Sequence, residues 1–208
     1  MKILELFCGT KSISKMAKKR GHTVVTLDFD KKFEPDILID ILKIKNVEAL
    51  GVGYDLIWAS PPCTEYSRAK SQGVRKIEYA NSIVLKTIKI INELSPRYWI
   101  IENPQTGLLK KQEFMDEISF TDVSYCKYGT PYKKQTRLWN NAGLILNTCN
   151  KDCDFMIGNR HIGSAGCGGK GQGHKISYSD KSYSKLEKYA IPEKLCESII
   201  EQIEEKLK

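Results

Sequence analysis

Residues 2–30 read KILELFCGTKSISKMAKKRGHTVVTLDFD and predict a β-α-β unit. The apolar run 2–7 is typical of a buried strand, and the run 22–27, which is rich in β-branched residues, is typical of a second one. Ser12 is a good N-cap for the helix between them, and Gly21 stands where a glycine commonly follows a helix end. Strands joined in this way through a helix imply an α/β fold.

The rest of the chain continues this alternation. Further strands are expected at 36–41, 54–58, 97–101, 120–128 and 144–146, and helices at 43–50, 77–94, 108–118 and from Pro192 onward. We therefore predict a Rossmann-like α/β fold in which a mostly parallel sheet is flanked by helices.

Bulk properties narrow the class of protein. The chain has 208 residues, which suits one domain with at most a small appendage, and a net charge of +8. The excess of Lys and Arg favours a polyanionic partner such as nucleic acid. No apolar run reaches the length of a membrane span, and the first residues lack the layout of a signal peptide. We expect an intracellular, cytoplasmic protein that does not contact membranes.

The predicted strands end in residues suited to a nucleoside cofactor. Gly9 follows the first strand and lets a ligand approach the backbone, while Asp28 ends the second, where an acid accepts hydrogen bonds from ribose hydroxyls. Asp40 ends the third strand within reach of an adenine amino group, with Ile41 packing on the ring. The G-x-G-x-x-G fingerprint is absent, as expected when there is no pyrophosphate to bind. The pattern favours S-adenosylmethionine over NAD.

A second stretch, WASPPCTEYS at 58–67, places Cys63 directly after a strand and two stiffening prolines. This is the sheet edge at which α/β proteins bind ligands, so Cys63 is a candidate nucleophile. The alternative is a small buried hydrophobe, which is the usual role of a cysteine that forms no disulfide. Glu102 ends the fifth predicted strand and brings a carboxylate to the same edge, followed by Asn103.

The later cysteines and histidines are candidate ligands of a metal ion. Cys149 and Cys153 form a C-x3-C pair, and His161, Cys167 and His174 follow within a glycine-rich stretch. Such residues can bind zinc, but the spacing is not that of a standard zinc finger. We therefore predict no metal ligands from the sequence.

Short motifs follow one another in order over residues 3–139. They are Glu5-Leu-Phe-Cys-Gly9, Asp28-Phe29-Asp30, Asp40-Ile41, Pro62-Cys63, Glu102-Asn103, and Tyr128-Gly129-Thr-Pro131 with the basic residues leading to Arg137. Together they resemble the motifs of the cytosine-C5 DNA methyltransferases, a family with a Rossmann-like S-adenosylmethionine-dependent fold.

The resemblance implies roles for four residues in transfer of a methyl group to carbon 5 of cytosine. Cys63 would add to carbon 6 of the ring, and Glu102 would hydrogen-bond N3 and draw negative charge off the ring. Arg137 would bind the base O2 or a nearby phosphate. Asn103 would hold the Pro-Cys loop.

The resemblance also implies a cofactor and a partner. The partner would be DNA with the target base flipped out of the duplex, bound by a monomer. The residues expected to line the S-adenosylmethionine pocket are Phe7, Cys8, Gly9, Thr10, Asp28, Phe29, Asp40, Ile41 and Pro62.

Length sets this chain apart from most of that family, which carries a separate target-recognition domain. We assign residues 1–147 to the catalytic, cofactor-binding domain and 148–183 to a glycine-rich insert that is a candidate reduced target-recognition region. Residues 184–208 form a C-terminal helix that returns to the catalytic domain. The chain therefore resembles compact phage or viral members of the family.

Three alternatives remain open from the sequence. The same C5 chemistry could act on RNA or on a free cytidine nucleotide, since a full recognition domain is missing. Ser60-Pro61-Pro62 resembles the start of the motif of exocyclic-amine (N4 or N6) methyltransferases, although that class needs an aromatic residue where Cys63 stands. A non-catalytic nucleic-acid-binding protein with a degenerate cofactor pocket is the third.

Overall fold

The computed structural model describes residues 1–163 and 183–208. Seven strands form the central sheet: β1 (Lys2–Leu6), β2 (Thr23–Asp28), β3 (Ile37–Leu38), β4 (Leu56–Ala59), β5 (Tyr98–Pro104), β6 (Phe120–Ser124) and β7 (Gln135–Asn140). Their order is β3-β2-β1-β4-β5-β7-β6. Strands β1 to β5 are parallel, and β7 runs antiparallel to both of its neighbours.

Helices cover both faces of this sheet. They are α1 (Ser12–Lys19), α2 (Ile77–Leu94) and α4 (Glu193–Lys206), and the short helix α3 (Lys185–Tyr189) precedes α4. The apolar side of α2 packs on one face of the sheet, and α1 and α4 pack together on the other. The predicted mostly parallel sheet flanked by helices is confirmed. The helices expected at 43–50 and 108–118 are wrong in detail, because these segments hold only short 3₁₀ turns, Ile41–Lys43, Glu48–Leu50, Leu109–Lys111 and Glu113–Met115.

The central strands are buried on both faces, as expected for parallel strands covered by helices. In β1, Leu4 belongs to the core on the α2 side and Ile3 to the core on the α1 side. Ile100 and Ile101 of β5 divide in the same way. The carboxyl edge of the sheet is therefore held rigidly from both sides.

The first β-α-β unit is joined by a buried carboxylate. Glu5 of β1 accepts hydrogen bonds from the backbone N–H of Ser14, at 3.1 Å, and from its hydroxyl. This contact docks the first turn of α1 on β1. Gly21, with φ of +81°, follows the helix end as predicted, whereas Lys11 rather than the predicted Ser12 occupies the N-cap.

Strand β7 is the main element that the sequence did not predict. Its residues Gln135–Asn140 lie between β5 and β6 in the sheet. The expected strand 120–128 ends at Ser124, and Tyr125–Tyr128 form a 3₁₀ turn that reverses the chain into β7.

Residues 144–146 were expected to form a strand, and this prediction is wrong. The backbone of Ile145 instead pairs with the Gln202 side chain of α4, which accepts from the Ile145 N–H at 2.8 Å and donates to its carbonyl at 3.0 Å. Leu144 is thus buried in the core beside α4, whereas Ile145 is 85% exposed and is tied to α4 through its backbone.

The last helix begins where the sequence predicted. Pro192 occupies the N-cap of α4, and Leu195, Ile199, Ile200 and Ile203 are fully buried. Within residues 1–163 and 183–208, no helix combines the length and apolar character needed to cross a membrane.

Candidate active site at the carboxyl edge of the sheet

The turn after β1 is tightly wound and tied to the end of β2. Phe7, Gly9 and Lys11 all have positive φ, at 58°, 44° and 57°. The N–H of Cys8 donates to the Leu27 carbonyl at 3.0 Å, and the N–H of Gly9 donates to the Asp28 carboxylate at 3.0 Å. The two strand ends that carry the first two motifs therefore form one unit.

Asp28 is buried, and its carboxylate accepts hydrogen bonds from the turns after both strands. Its side chain is 5% exposed, and its second oxygen accepts from the Asp30 N–H at 3.0 Å. Phe29, between the two acids, is 67% exposed. A large aromatic side chain left in solvent at a ligand-binding edge is suited to stack on a flat ring.

The third motif contributes one accessible carboxylate and one core residue. Asp40 is partly exposed and caps a 3₁₀ turn by accepting from the Leu42 N–H at 3.0 Å. Ile41 is 3% exposed and belongs to the apolar core. The predicted ring contact of Ile41 therefore involves only the small accessible part of its side chain.

The Pro-Pro-Cys turn follows β4 at the same edge. Cys63 is half-buried, Pro61 is buried and Pro62 is exposed. The Asn103 side-chain amide donates to the Pro61 carbonyl at 2.9 Å. This hydrogen bond ties the end of β5 to the turn that carries Cys63.

The chain beyond Cys63 is anchored by a buried tyrosine. The N–H of Tyr66 donates to the Cys63 carbonyl at 3.1 Å, and its fully buried ring places the hydroxyl on Asn81 at 2.7 Å. Asn81 in turn donates to Gln112 at 2.8 Å. This chain of side chains links the cysteine turn to α2 and to the segment after β5.

The basic stretch that follows, residues 68–76, is held by hydrogen bonds and ion pairs of its own charged side chains. Arg75 donates to the carbonyls of Glu65, Ser67 and Lys70 at 2.9, 2.7 and 3.0 Å. Lys70 pairs with the Glu65 carboxylate at 2.6 Å, and this partner lowers the pKa of Glu65. This stretch also carries Arg68 and Lys76, whose side chains are exposed.

Glu102 lies at the end of β5, the strand next to β4. Its carboxylate is 8% exposed, and the Tyr125 hydroxyl lies 3.5 Å from it. Burial and the neighbouring Glu102 charge raise the pKa of Tyr125 well above its usual value. Tyr125 therefore remains a neutral hydrogen-bond donor toward Glu102. The sequence motifs did not mark Tyr125, which reads as an ordinary strand aromatic.

The structure does not bring Arg137 to Glu102. Arg137 pairs with Asn103 across β5 and β7, whereas Glu102 pairs with Leu138, so the two side chains point to opposite faces. The guanidinium instead binds both oxygens of Asp122 on β6, at 2.8 and 2.9 Å, and stacks on Phe120 with 3.4 Å to the ring centroid. These contacts turn Arg137 away from β5.

A model of the C-5 cytosine-specific DNA methylase family matches residues 1–119, which contain the β1 turn, the Pro-Cys turn and Glu102. The chain belongs to this family. The predicted family and enzyme class are confirmed.

Individual relatives agree with this assignment. The chain is 32% identical over 196 residues to the "Probable DNA (cytosine-5)-methyltransferase" of Frog virus 3 (isolate Goorha), covering 83% of this chain and 89% of that protein. The viral type of relative that the sequence suggested is therefore found.

Solved structures support the fold. One is a protein described as a DNA modification methyltransferase encoded within an E. coli prophage, with a TM-score of 0.51 and 17% identity over 67% of this chain. Another is the methyltransferase EhMeth of Entamoeba histolytica, with a TM-score of 0.49 and 18% identity over 66% of this chain. The chain spans about half the length of these two proteins, 46% and 52%. The first likeness supports the predicted Rossmann-like methyltransferase fold.

Proposed function

We propose that this chain transfers a methyl group from S-adenosylmethionine to carbon 5 of cytosine in DNA, with Cys63 as the nucleophile and Glu102 as the partner of N3. Family membership supports the reaction class, and the motif positions support the residues. Arg137 is proposed to join β6 to β7 through Asp122 rather than to contact the base.

One contact carries the proposal for the site, the hydrogen bond from the Asn103 amide to the Pro61 carbonyl at 2.9 Å. Asn103 follows Glu102 directly in the chain, and Pro61 precedes Cys63 by two residues. The bond therefore couples the turn carrying the thiol to the strand carrying the carboxyl group. A cytosine ring bound at this edge would meet the thiol at C6 and the carboxyl group at N3.

The chemistry explains why these two groups are needed together. Carbon 5 of cytosine is a poor nucleophile until a thiolate adds to C6 and gives C5 enamine character. The addition pushes electrons onto the ring, and the Glu102 carboxyl group stabilises them through its hydrogen bond at N3. After C5 has gained the methyl group, loss of the C5 proton expels the Cys63 thiolate and restores the ring.

The residues at the ends of β1 to β3 fit S-adenosylmethionine, which when bound supplies an electrophilic methyl group. Gly9 has a positive φ, which favours glycine, and the absence of a side chain leaves room for a ligand beside this turn. A Cβ built there would contact only the Phe7 carbonyl, at 3.8 Å. The exposed ring of Phe29 is suited to stack on adenine, and Asp40 to accept from the adenine amino group. Asp28 would hold the turn and offer its remaining lone pairs to the ribose.

DNA is proposed as the substrate because the family acts on it, and a base in a duplex would have to be flipped out to reach Cys63. Residues 148–183 are proposed as a reduced target-recognition region, and the chain as a monomer. Strong sequence specificity is not expected from an insert of this size.

Tritiated methyl transfer tests the function directly. Duplex DNA, single-stranded DNA, RNA and dCTP are compared as acceptors, and the labelled base is identified after digestion. The expected product is 5-methylcytosine, formed most efficiently on DNA. A preference for RNA or dCTP would keep the chemistry and change the substrate, whereas label on an exocyclic amine would reject the proposed reaction.

The Cys63→Ser variant distinguishes the role of Cys63 as nucleophile from a role in binding the cofactor. A hydroxyl at neutral pH is a far weaker nucleophile than a thiolate, so turnover should fall by at least ~10³-fold. Binding of S-adenosylmethionine, measured by calorimetry, should stay close to that of the wild type. Retained methylation by this variant would show that another residue attacks the base.

A further inference from the structure

Four potential metal ligands converge on the side of the sheet that carries β6 and β7. Cys126 comes from the 3₁₀ turn between these strands, and Cys149 and Cys153 come from the chain after β7. His161 lies on β9 (Arg160–His161), which pairs with β8 (Met156–Ile157) in a short hairpin. The group therefore joins the catalytic domain to the first part of the insert.

The distances suit one small ion. The three sulfurs and a ring nitrogen all lie within 4.8 Å of one another, and Cys149 Sγ lies 3.4 Å from His161 Nε2. In a tetrahedral zinc site, ligand atoms are separated by about 3.5 to 3.8 Å, given bonds of ~2.3 Å to sulfur and ~2.0 to 2.1 Å to nitrogen. Within residues 1–163 and 183–208, none of these cysteines forms a disulfide.

The backbone around the group is fixed by specific contacts. The N–H of Cys149 donates to the Ser124 hydroxyl at 3.0 Å, and Lys133 donates to the Cys149 carbonyl at 3.1 Å. Lys127 pairs with Asp152 at 2.9 Å and also donates to its carbonyl. Cys126 and Cys149 are buried, and Cys153 is half-buried. These hydrogen bonds and this ion pair hold the backbone of the cysteine-bearing segments in position.

We propose that Cys126, Cys149, Cys153 and His161 bind one structural Zn²⁺ ion. Thiolate and imidazole ligands are those that Zn²⁺ favours, and four protein ligands close its tetrahedron, so no position is left for substrate or water. Three thiolates and one Zn²⁺ leave a single negative charge. Lys127 and Lys133, beside the group, are placed to balance it.

The ion would fasten the insert to the catalytic sheet. Cys126 directly follows Tyr125, whose hydroxyl lies 3.5 Å from Glu102. The metal would therefore fix the end of β6 that supports Glu102, as well as the start of the insert. Its role is structural, because four protein ligands leave no open coordination position.

The ligand set differs from the one that the sequence suggested. Cys149, Cys153 and His161 were among the candidates, but Cys126 was not, and Cys167 and His174 lie outside the described residues. Cys126 is separated from Cys149 by a strand, so only the chain reversal into β7 brings the two together.

Metal analysis of the full-length protein tests the proposal. Protein purified without added metal or chelator, in reducing buffer, should contain about one zinc per chain, as a closed four-ligand site implies. Cys126→Ser and Cys153→Ser should each lose most of it. Cys167→Ser is the matched control, a cysteine of the same insert outside the proposed ligand set, and it should retain the metal.

Cobalt gives a second readout that does not depend on how the variants fold. Wild-type protein stripped by a chelator and loaded with Co²⁺ should show the intense thiolate-to-cobalt absorption and the d–d bands of a tetrahedral thiolate-rich site. Zinc should displace the cobalt and abolish both. Circular dichroism of the variants before metal analysis separates loss of ligand from loss of fold.

Three results would overturn the proposal. The first is wild-type protein that carries no zinc and fails to bind Co²⁺ tetrahedrally. The second is a disulfide among Cys126, Cys149 and Cys153 in protein kept under reducing conditions. The third is a Cys167→Ser variant that loses metal while Cys126→Ser keeps it. None of these measurements depends on methyl transfer, so the zinc site and the proposed function can fail separately.

Discussion

Asn103 joins two strand ends through one buried side chain. Its amide group donates to the Pro61 carbonyl, and the residue is fully buried. A buried carbonyl that loses a side-chain donor bears a desolvation penalty, so this contact matters for stability as well as for geometry. It is the feature through which β5 can position the cysteine turn.

Replacing Asn103 with Ala should therefore affect both stability and rate. The free energy of unfolding should fall by roughly 1–3 kcal/mol, the usual effect of leaving one buried polar group unpaired. The kcat of methyl transfer should fall, with little change in cofactor affinity, because the thiol is no longer held in place. Urea unfolding and steady-state kinetics measure the two effects. Asn92→Ala, at an exposed site on α2, is the control, and equal kcat in both variants would argue against a positioning role.

Glu5 is a buried acid whose charge opposes folding. Burial raises the pKa of Glu5 to about 7 from 4.5, despite the hydrogen bonds from Ser14. Because the folded-state pKa is the higher one, the protonated form favours the native state. The stabilising contribution is complete below about pH 4.5 and is lost as the pH rises to about 7.

The Glu5→Gln variant should lose this pH dependence. The amide oxygen of glutamine can still accept from Ser14, but it does not ionise. Relative to wild type, the variant should gain stability between pH 5 and 8, by at most roughly 3 kcal/mol. Urea unfolding at several pH values measures the difference. A constant difference across this range would contradict the raised pKa.

At the level of elements, β7 connects β5, which carries Glu102, to the last strand of the sheet, β6. It pairs with β5 next to Glu102 and with β6 through Arg137 and Asp122. The Arg137 guanidinium is only 14% exposed and lies over the Phe120 ring. A bidentate, partly buried ion pair of this kind contributes more than an exposed one.

A double-mutant cycle tests this structural role of Arg137. Arg137→Ala and Asp122→Ala should each destabilise the protein, and their coupling energy should be about 1 kcal/mol or more. Methyl transfer per folded molecule should change similarly in both variants, because both break the same pair. If Arg137→Ala removed activity while Asp122→Ala left it intact, Arg137 would be a base contact, as the sequence resemblance first suggested.

The same elements show how far the sequence could be interpreted. The alternation of apolar strands and amphipathic helices predicted β1 to β5, α2 and the last helix. In these segments the apolar residues follow the period of the strand or helix, so the pattern in the sequence shows which residues are buried. Strand β7 was missed because its QTRLWN sequence follows a basic turn and mixes polar and apolar residues, as an antiparallel strand between two others can. The strand predicted at 144–146 was wrong because a short apolar run does not by itself specify a strand: Leu144 is buried beside α4, whereas Ile145 is 85% exposed.

The sequence offers candidate site residues where the motif residues are adjacent in the chain, but not where residues meet only in space. The pairs Pro62-Cys63 and Glu102-Asn103 are local signals. The orientation of Arg137 depends on strand register, and a one-residue shift moves a side chain to the opposite face. The group around Cys126 depends on tertiary structure alone.

At the scale of the whole molecule, the C-terminal helix α4 is bound to the first β-α-β unit. Helix α4 packs on α1, and Glu204 accepts two hydrogen bonds from Arg20, at 3.1 and 2.7 Å. His22 lies 2.6 Å from the same carboxylate. The Arg20 guanidinium lowers the pKa of Glu204 to about 2. The last helix thus binds the first β-α-β unit by charge as well as by its apolar face.

Glu204→Gln should reveal this contribution through its pH dependence. The folded-state pKa lies below the ordinary value of 4.5, so the stabilisation is present above that pH and is lost as the pH falls toward 2. At pH 7 the variant should be less stable by about 1–2 kcal/mol, and the gap should narrow on acidification. The neighbouring Glu205→Gln, at an exposed position, should behave like the wild type throughout.

The central claim for the whole molecule is that Cys63 attacks a cytosine of DNA. DNA containing 5-fluorocytosine tests it most directly, because fluorine at C5 cannot leave as the proton does, and the enzyme stays bonded to C6. With S-adenosylmethionine present, we expect a complex stable to denaturant, with the modified peptide containing Cys63. Absence of the complex, together with methyl transfer to an exocyclic amine, would contradict the account.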